Sequence, residues 1–90
     1  ELEKVYDHLF SDEGSEIYLN PIIDYLDVTH PVDFYQVTEY ASKRGHTAIG
    51  YRSMNPINMN NGKFGVVLNP KKSNQIKFED NDFLIVLAEV

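Results

Sequence analysis

A small α+β fold is what this sequence predicts: a mixed β-sheet of four to five strands with one β-α-β crossover helix. Three observations lead there. Val32 to Arg44 carries Phe34, Val37 and Ala41 at i, i+3 and i+7, a stripe that a helical period places on one face. Short runs rich in strand formers, "SEIYL", "HTAIGYR" and "GVVL", flank it, with Pro, Asn or Gly beside them. The final run, "FLIVLAE", shows no polar alternation, which suits a strand buried on both faces.

Each element follows in turn. Glu1 to Phe10 reads as a helix from the spacing of Leu2, Val5, Tyr6 and Leu9, with acids in its first turn. Ser11 to Gly14 ends it, Gly14 serving as a left-handed stop. Residues 1–14 are thus expected to form an N-terminal helix, part of a longer linker arm, and residues 15–90 the domain proper. Glu16 to Tyr25 reads as a strand that Pro21 bends, bulges or confines to an edge. Asp27 to Pro31 is a turn, and Thr29, Pro31 and Asp33 mark a helix entry.

The helix over Val32 to Arg44 ends on Lys43-Arg44 and Gly45, a favourable charge and a left-handed stop. His46 to Arg52 is the next strand, with Thr47, Ile49 and Tyr51 on one face and Ala48 and Gly50 on the other. "NPINMNNG" is a loop whose Asn61-Gly62 pair signals a hairpin reversal. Phe64 to Leu68 is a strand ended by Asn69-Pro70, since proline cannot donate to a ladder. Ile76 and Phe78 suggest a short strand, "EDND" turns the chain, and Phe83 to Leu87 closes the sheet. A strand–helix–strand unit implies a right-handed crossover between parallel neighbours, and the hairpin implies an antiparallel pair. One short helix cannot cover both faces of the last strand, so a second copy or the remainder of a longer polypeptide is expected to cover the other.

Composition narrows the function. Ninety residues with 42% apolar content make one small core. There is no cysteine, which removes disulfides, thiolate metal sites and thiol nucleophiles. The net charge of −6 is uneven: residues 1–45 hold ten acids and three bases, residues 46–90 four acids and five bases. That balance argues against nucleic acid and anionic membrane surfaces, both of which need a basic footprint. Lys71, Lys72, Lys63 and Lys77 are the basic cluster, best read as solvated loop and edge lysines. No stretch approaches the roughly 18 apolar residues that cross a bilayer, so direct membrane insertion by this segment is not expected. The five serines lack a nucleophile elbow and the carboxylates lack a catalytic pattern, so no enzyme is expected.

The candidate chemistry lies in loops. Asp80 and Asp82, with Glu79 and Asn81, offer hard oxygens to a calcium ion, but Asn and Asp are also what a tight turn uses. The turn is the stronger reading, with Asp82 bonding turn amides. Asp12, Glu13 and Glu16 form a second acidic group, read as a solvated loop ahead of a divalent cation. His8, His30 and His46 are scattered without ligand spacing and read as surface or loop histidines. His46 follows a helix C-terminus, where positive charge is favoured.

The order of "SEIYLNPI", "HTAIGYR", "GVVLNP" and "FEDNDFLIVLAE" resembles the C-terminal subdomain of the RCK (regulator of potassium conductance, TrkA-C-like) family. "EGSEIYL", "AIGYR", "LNPKKS" and "LIVLAE" resemble most closely the cytosolic regulatory region of CASTOR/POLLUX-type ion channels. The resemblance implies a regulatory, gating-ring subdomain of a potassium or other cation channel, on the cytoplasmic face of a membrane. It further implies self-association with other RCK subdomains, contact with the rest of the parent channel, and sensing of calcium or a small nucleotide ligand. A dimer cleft near the hairpin would then bring Arg52, Asn69 and Ser73, beside Lys71 and Lys72, to a phosphate or carboxylate. The plainer alternative pairs Arg52 with an acid and lets Asn69 end its strand. A ligand-free dimerisation module and a transporter subdomain remain as alternative functions.

Overall fold

The computed structural model describes residues 3–5, 15–55 and 64–89. Among the described residues, seven strands and one α-helix follow in chain order. They are β1 (Glu3–Val5), β2 (Ser15–Pro21), β3 (Val32–Asp33), α1 (Phe34–Ser42), β4 (Thr47–Arg52), β5 (Val66–Leu68), β6 (Gln75–Ile76) and β7 (Phe83–Glu89). A 3-10 turn over Ile22–Asp24 follows β2. The α+β class holds. The main sheet has five strands in the order β1-β2-β7-β4-β5, and β3 pairs with β6 as a separate ribbon.

The expected mixed sheet is corrected: among the described residues, every hydrogen-bonded strand pair is antiparallel. Strands β2 and β4 do run in the same direction on either end of α1, as a crossover unit requires. They are not neighbours, because β7 lies between them and pairs antiparallel with both. The physical reason is the apolar content of β7. Leu84 and Val86 are fully buried against the helix side, and Ile85 is buried on the other. A strand with two apolar faces gains most from the central position, where each side has a neighbour. Its two-sided burial, read from the sequence, is therefore present, but the chain itself supplies it. Ile17, Leu19 and Ile85 on the face away from α1 are buried without a second copy, which corrects the expectation that one is needed to cover that face.

The opening segment is also corrected. Glu3–Val5 is a strand, paired Glu3 with Leu19, Lys4 with Tyr18 and Val5 with Ile17. A helix of ten residues is marginal alone, whereas the edge of β2 offers backbone partners directly. The remainder of the helix expected over 1–14, and of the loop before Phe64, lies outside the described residues.

Helix α1 begins two residues later than its sequence pattern. Val32 and Asp33 pair with Ile76 and Gln75, so the chain enters the helix from a strand. Asp33 then caps it: its Oδ1 accepts from the Gln36 amide at 2.9 Å, and the Gln36 side chain accepts from the Asp33 amide at 3.1 Å. That reciprocal box satisfies two otherwise orphaned donors. Phe34, Val37 and Ala41 are the buried positions, as their spacing implies. They pack with Ile22, Phe78, Leu84 and Val86 into the main core. Tyr51 joins from β4, edge-on to Phe78 with centroids 5.2 Å apart.

Strand β4 departs from simple alternation. Its pairing with β7 slips between Ala48 and Gly50, leaving Ile49 as the extra residue of a bulge. Ala48 and Tyr51 therefore share the helix side, while Ile49 joins Ile17, Leu19 and Ile85 on the opposite face. The expected grouping of Ile49 with Tyr51 fails for that reason. Gly50 is fixed by close approach of β5, since a Cβ there would overlap the Val67 carbonyl oxygen.

Candidate functional site

Helix α1 ends in a way that aims its next residues at a cavity. The Gly45 amide donates to the Ser42 carbonyl at 2.9 Å, and the His46 amide to the Ala41 carbonyl at 3.0 Å. Gly45 has φ +77°. These are the two bonds and the left-handed residue of a Schellman turn. The turn carries Arg44 and His46 out of the helix on opposite sides of one glycine. Both line a cavity of about 450 Å³ with Gly45, Thr47, Leu87, Ala88 and Glu89. It is an open depression at the surface, with a largely polar lining.

Behind His46 runs a chain of polar side chains. Its Nδ1 lies 2.8 Å from the Tyr25 hydroxyl, which in turn accepts from Asn20 Nδ2 at 2.6 Å. The direction of the Tyr25–His46 bond follows the tautomer of the ring: with the ring proton on Nε2, Nδ1 accepts from the Tyr25 hydroxyl. Arg44 closes the group: its Nη1 donates to the Asp24 carbonyl at 3.0 Å, and its guanidinium sits 5.5 Å from the Tyr25 ring centroid. Burial pushes the Tyr25 phenol up from its ordinary value of 10, partly opposed by the Asn20 hydrogen bond and by Arg44. Asn20 is 4% exposed, and its Oδ1 has no hydrogen-bond partner. Such an orphaned acceptor is rare in a folded interior and calls for an explanation.

The polar chain belongs to one face of β2. Alternation puts Glu16, Tyr18 and Asn20 together, with Ile17 and Leu19 on the other side. Glu16 is buried and accepts from the Tyr18 hydroxyl at 2.7 Å. The acidic group expected at Asp12, Glu13 and Glu16 thus has its last member inside the domain. Asp12 and Glu13 lie outside the described residues.

The ligand residues read from the sequence are placed as follows. Arg52 pairs with Val66 at one end of the β4–β5 hairpin, and its Nε donates to the Phe64 carbonyl at 3.0 Å. Asn69 leaves the other end, with φ +54° and its amide donating to the Ile49 carbonyl at 2.8 Å. The hairpin therefore separates Arg52 from Asn69, because successive antiparallel strands end on opposite sides. Ser73 lies in an exposed turn. Asp80 is exposed, whereas Asp82 is buried with both carboxylate oxygens in use. Oδ1 accepts from the Met54 amide and Oδ2 from the Glu79 amide, each at 2.9 Å. The Asp82 carbonyl also accepts from the Ile22 amide at 2.9 Å. Asp82 thus joins three segments, its carboxylate holding its own turn and the exit of β4 and its main-chain carbonyl the 3-10 turn. Among the described residues, no group of three or more His and carboxylate side chains has the arrangement to hold a metal. His30 is exposed, and His8 lies outside the described residues.

Sequence reasoning missed Asn20 and Tyr25 and took His46 for a surface residue. The available signal was the polar side of "SEIYLN", which marks a strand face without telling whether it turns inward.

No family model matches the chain. Over 89 residues, 99% of its length, the chain is 27% identical to the ion channel CASTOR of Lotus japonicus. It spans 10% of that protein. The chain is thus similar to a segment of an ion channel, and a channel-related role is the coarse reading this similarity supports. No described helix is long and apolar enough to cross a membrane.

Proposed function

We propose that this chain is a regulatory domain of a cation channel, an RCK-like subdomain that assembles with others of its kind at the cytoplasmic face. The single observation behind this reading is the similarity to CASTOR along nearly the whole chain. The mechanism is a population shift: a bound ion or small ligand that favours one arrangement of the assembled domains biases the pore by its differential affinity. Calcium and nucleotides are the ligand classes to test. The cavity beside His46 is the better-formed place for a small ligand, since Arg52, Asn69 and Ser73 do not converge.

Assembly has support of its own from the edge strand. Strand β5 ends the sheet, and Phe64 and Leu68 are 66% and 57% exposed. These exposed apolar side chains beside the sheet edge offer area that a second domain could bury. A domain that only assembles, without a ligand, predicts self-association but no response to calcium or nucleotides.

The deciding experiment records currents from the full polypeptide with and without residues 15–89. A changed open probability, with assembly lost on sedimentation, supports the reading. Unchanged currents, or a parent polypeptide with no pore, end it. Calorimetric titration with calcium and with nucleotides then separates a sensor from a scaffold.

A further inference from the structure

We propose that His46, Tyr25 and Asn20 form a proton-linked relay, in which protonation of the imidazole reverses the hydrogen bonds and turns the buried Asn20 amide over. Asn20 Nδ2 donates to the Tyr25 hydroxyl, and in the neutral state of the relay, with the ring protonated on Nε2, that hydroxyl donates to His46 Nδ1. One end of this chain is solvent-reachable through the cavity, and the other is closed. The Asn20 Oδ1 gains nothing from this direction, being buried without a partner.

A second proton on the ring changes the direction by necessity. An imidazolium has two N–H donors and no acceptor. Nδ1–H must then donate to the Tyr25 oxygen, and the Tyr25 hydrogen must leave the Nδ1 side. The neighbour already at 2.6 Å is the Asn20 amide, whose oxygen and nitrogen are nearly the same size. Rotating that amide by half a turn presents Oδ1 to the Tyr25 hydroxyl with no repacking. The atom orphaned in the resting state becomes an acceptor, and the amide nitrogen takes the unpaired position. No bond between heavy atoms forms or breaks; one proton comes from solvent and stays on the ring. Each direction leaves one polar end of Asn20 unmatched, so the reversal exchanges one orphaned group for another.

The charged and titratable groups around the ring come from every neighbouring element. Arg44 precedes it in the same turn, and Glu89 shares the cavity wall from the end of β7. Asp24 and Tyr25 approach from the 3-10 turn, with Arg44 held on the Asp24 carbonyl. Glu16 on β2 pairs in register with Ala88, which lines the same cavity. Arg44 and Glu89 thus place one charge of each sign on the wall of the cavity that His46 lines. Asn20 sits opposite Leu84 in the central strand, so the reversal reaches the middle of the sheet from its rim. The relay uses only atoms of this chain, whatever protein carries it.

Nuclear magnetic resonance on the 90-residue chain, isotopically labelled and titrated from pH 8.5 to 4.5, tests the relay. At high pH the His46 ring is expected as the Nε2–H tautomer. On acidification, the Asn20 side-chain amide signals should shift with the same midpoint as the His46 ring. Tyr25→Phe removes the central oxygen, so His46 should still titrate while the Asn20 response is lost. His46→Gln keeps the side chain polar but unable to titrate, and should also abolish the Asn20 response. A neutral ring protonated on Nδ1, Asn20 signals that ignore the His46 midpoint, or an undiminished response in either variant overturns the proposal.

Discussion

Asp82 and Asn20 are buried to the same extent, 4% exposed each, and stand at opposite extremes of satisfaction. Asp82 uses both carboxylate oxygens on backbone amides that cannot move without moving the fold. Asn20 uses one end of its amide on a side-chain hydroxyl and leaves the other end unpaired. The first is a staple between the β6–β7 turn, the exit of β4 and the 3-10 turn after β2. The second is joined to a half-buried histidine at a cavity and is free to exchange partners. What separates them is the identity of the partner: backbone donors fix a direction, whereas hydroxyl and imidazole groups can reverse theirs.

Stability measurements put that contrast at risk. Asp82→Ala leaves the Met54 and Glu79 amides without acceptors, and each orphaned donor costs about 1–3 kcal/mol. A loss on the order of 3 kcal/mol is expected, read as a lower urea midpoint at unchanged slope. Asn20→Leu removes one good hydrogen bond together with an orphaned acceptor, so the two changes oppose each other. Its cost is expected at about 1 kcal/mol or less in the same assay. Comparable losses at the two positions would erase the distinction between staple and relay.

A smaller effect appears at alkaline pH. Burial raises the Tyr25 phenol above 10, and burial followed by the Asp82 charge does the same to Tyr51. A raised folded value means that the fold prefers the neutral phenol. The associated stability is fully present below 10 and is lost as the pH climbs through 10 and beyond. Tyr25→Phe should flatten part of that decline, and Tyr51 contributes to the slope left behind. Asp82→Asn should then lessen the Tyr51 share, by removing the charge. An alkaline decline identical in all three proteins would contradict both assignments.

The smallest expected effect lies outside both regions and serves as their control. The backbone amide of Thr29 holds the Asp27 carboxyl below its ordinary 3.8. The stability tied to it is present above that value and lost as the pH falls through the folded value. Asp27→Asn should slightly flatten the acid limb of a stability–pH profile. It should leave the His46 titration and the Asn20 amide signals in place. Movement of the Asn20 signals in this variant would mean that the relay is not confined to its three members.

The two regions also differ in how far they could be read in advance. A turn over residues 79–82, with Asp82 bonding its amides, follows from local preferences of Asp and Asn, and the Glu79 bond is of that kind. The Met54 bond spans 28 residues and was not legible. Asn20 and Tyr25 escaped because their partner, His46, is 21 residues beyond Tyr25, and no spacing rule links a strand, a 3-10 turn and a helix exit. Arg52 and Asn69 were grouped because each ends a strand. Antiparallel pairing puts those ends apart, a consequence of direction and not of residue type.

By itself the sequence determined the local features: the apolar stripe of α1, its Gly45 stop, the hairpin strands, the acidic turn and the two apolar faces of Phe83 to Leu87. These depend on contacts within a few residues, or on a periodicity that any partner would respect. Only the tertiary structure decided that β7 separates β2 from β4, that Glu3–Val5 joins the sheet, and that a bulge at Ile49 turns Tyr51 toward the helix. The reason is that strand order and register are settled by competition among distant segments for the same backbone edges. A residue's polarity says which face it prefers, but the winning pairing says where that face points.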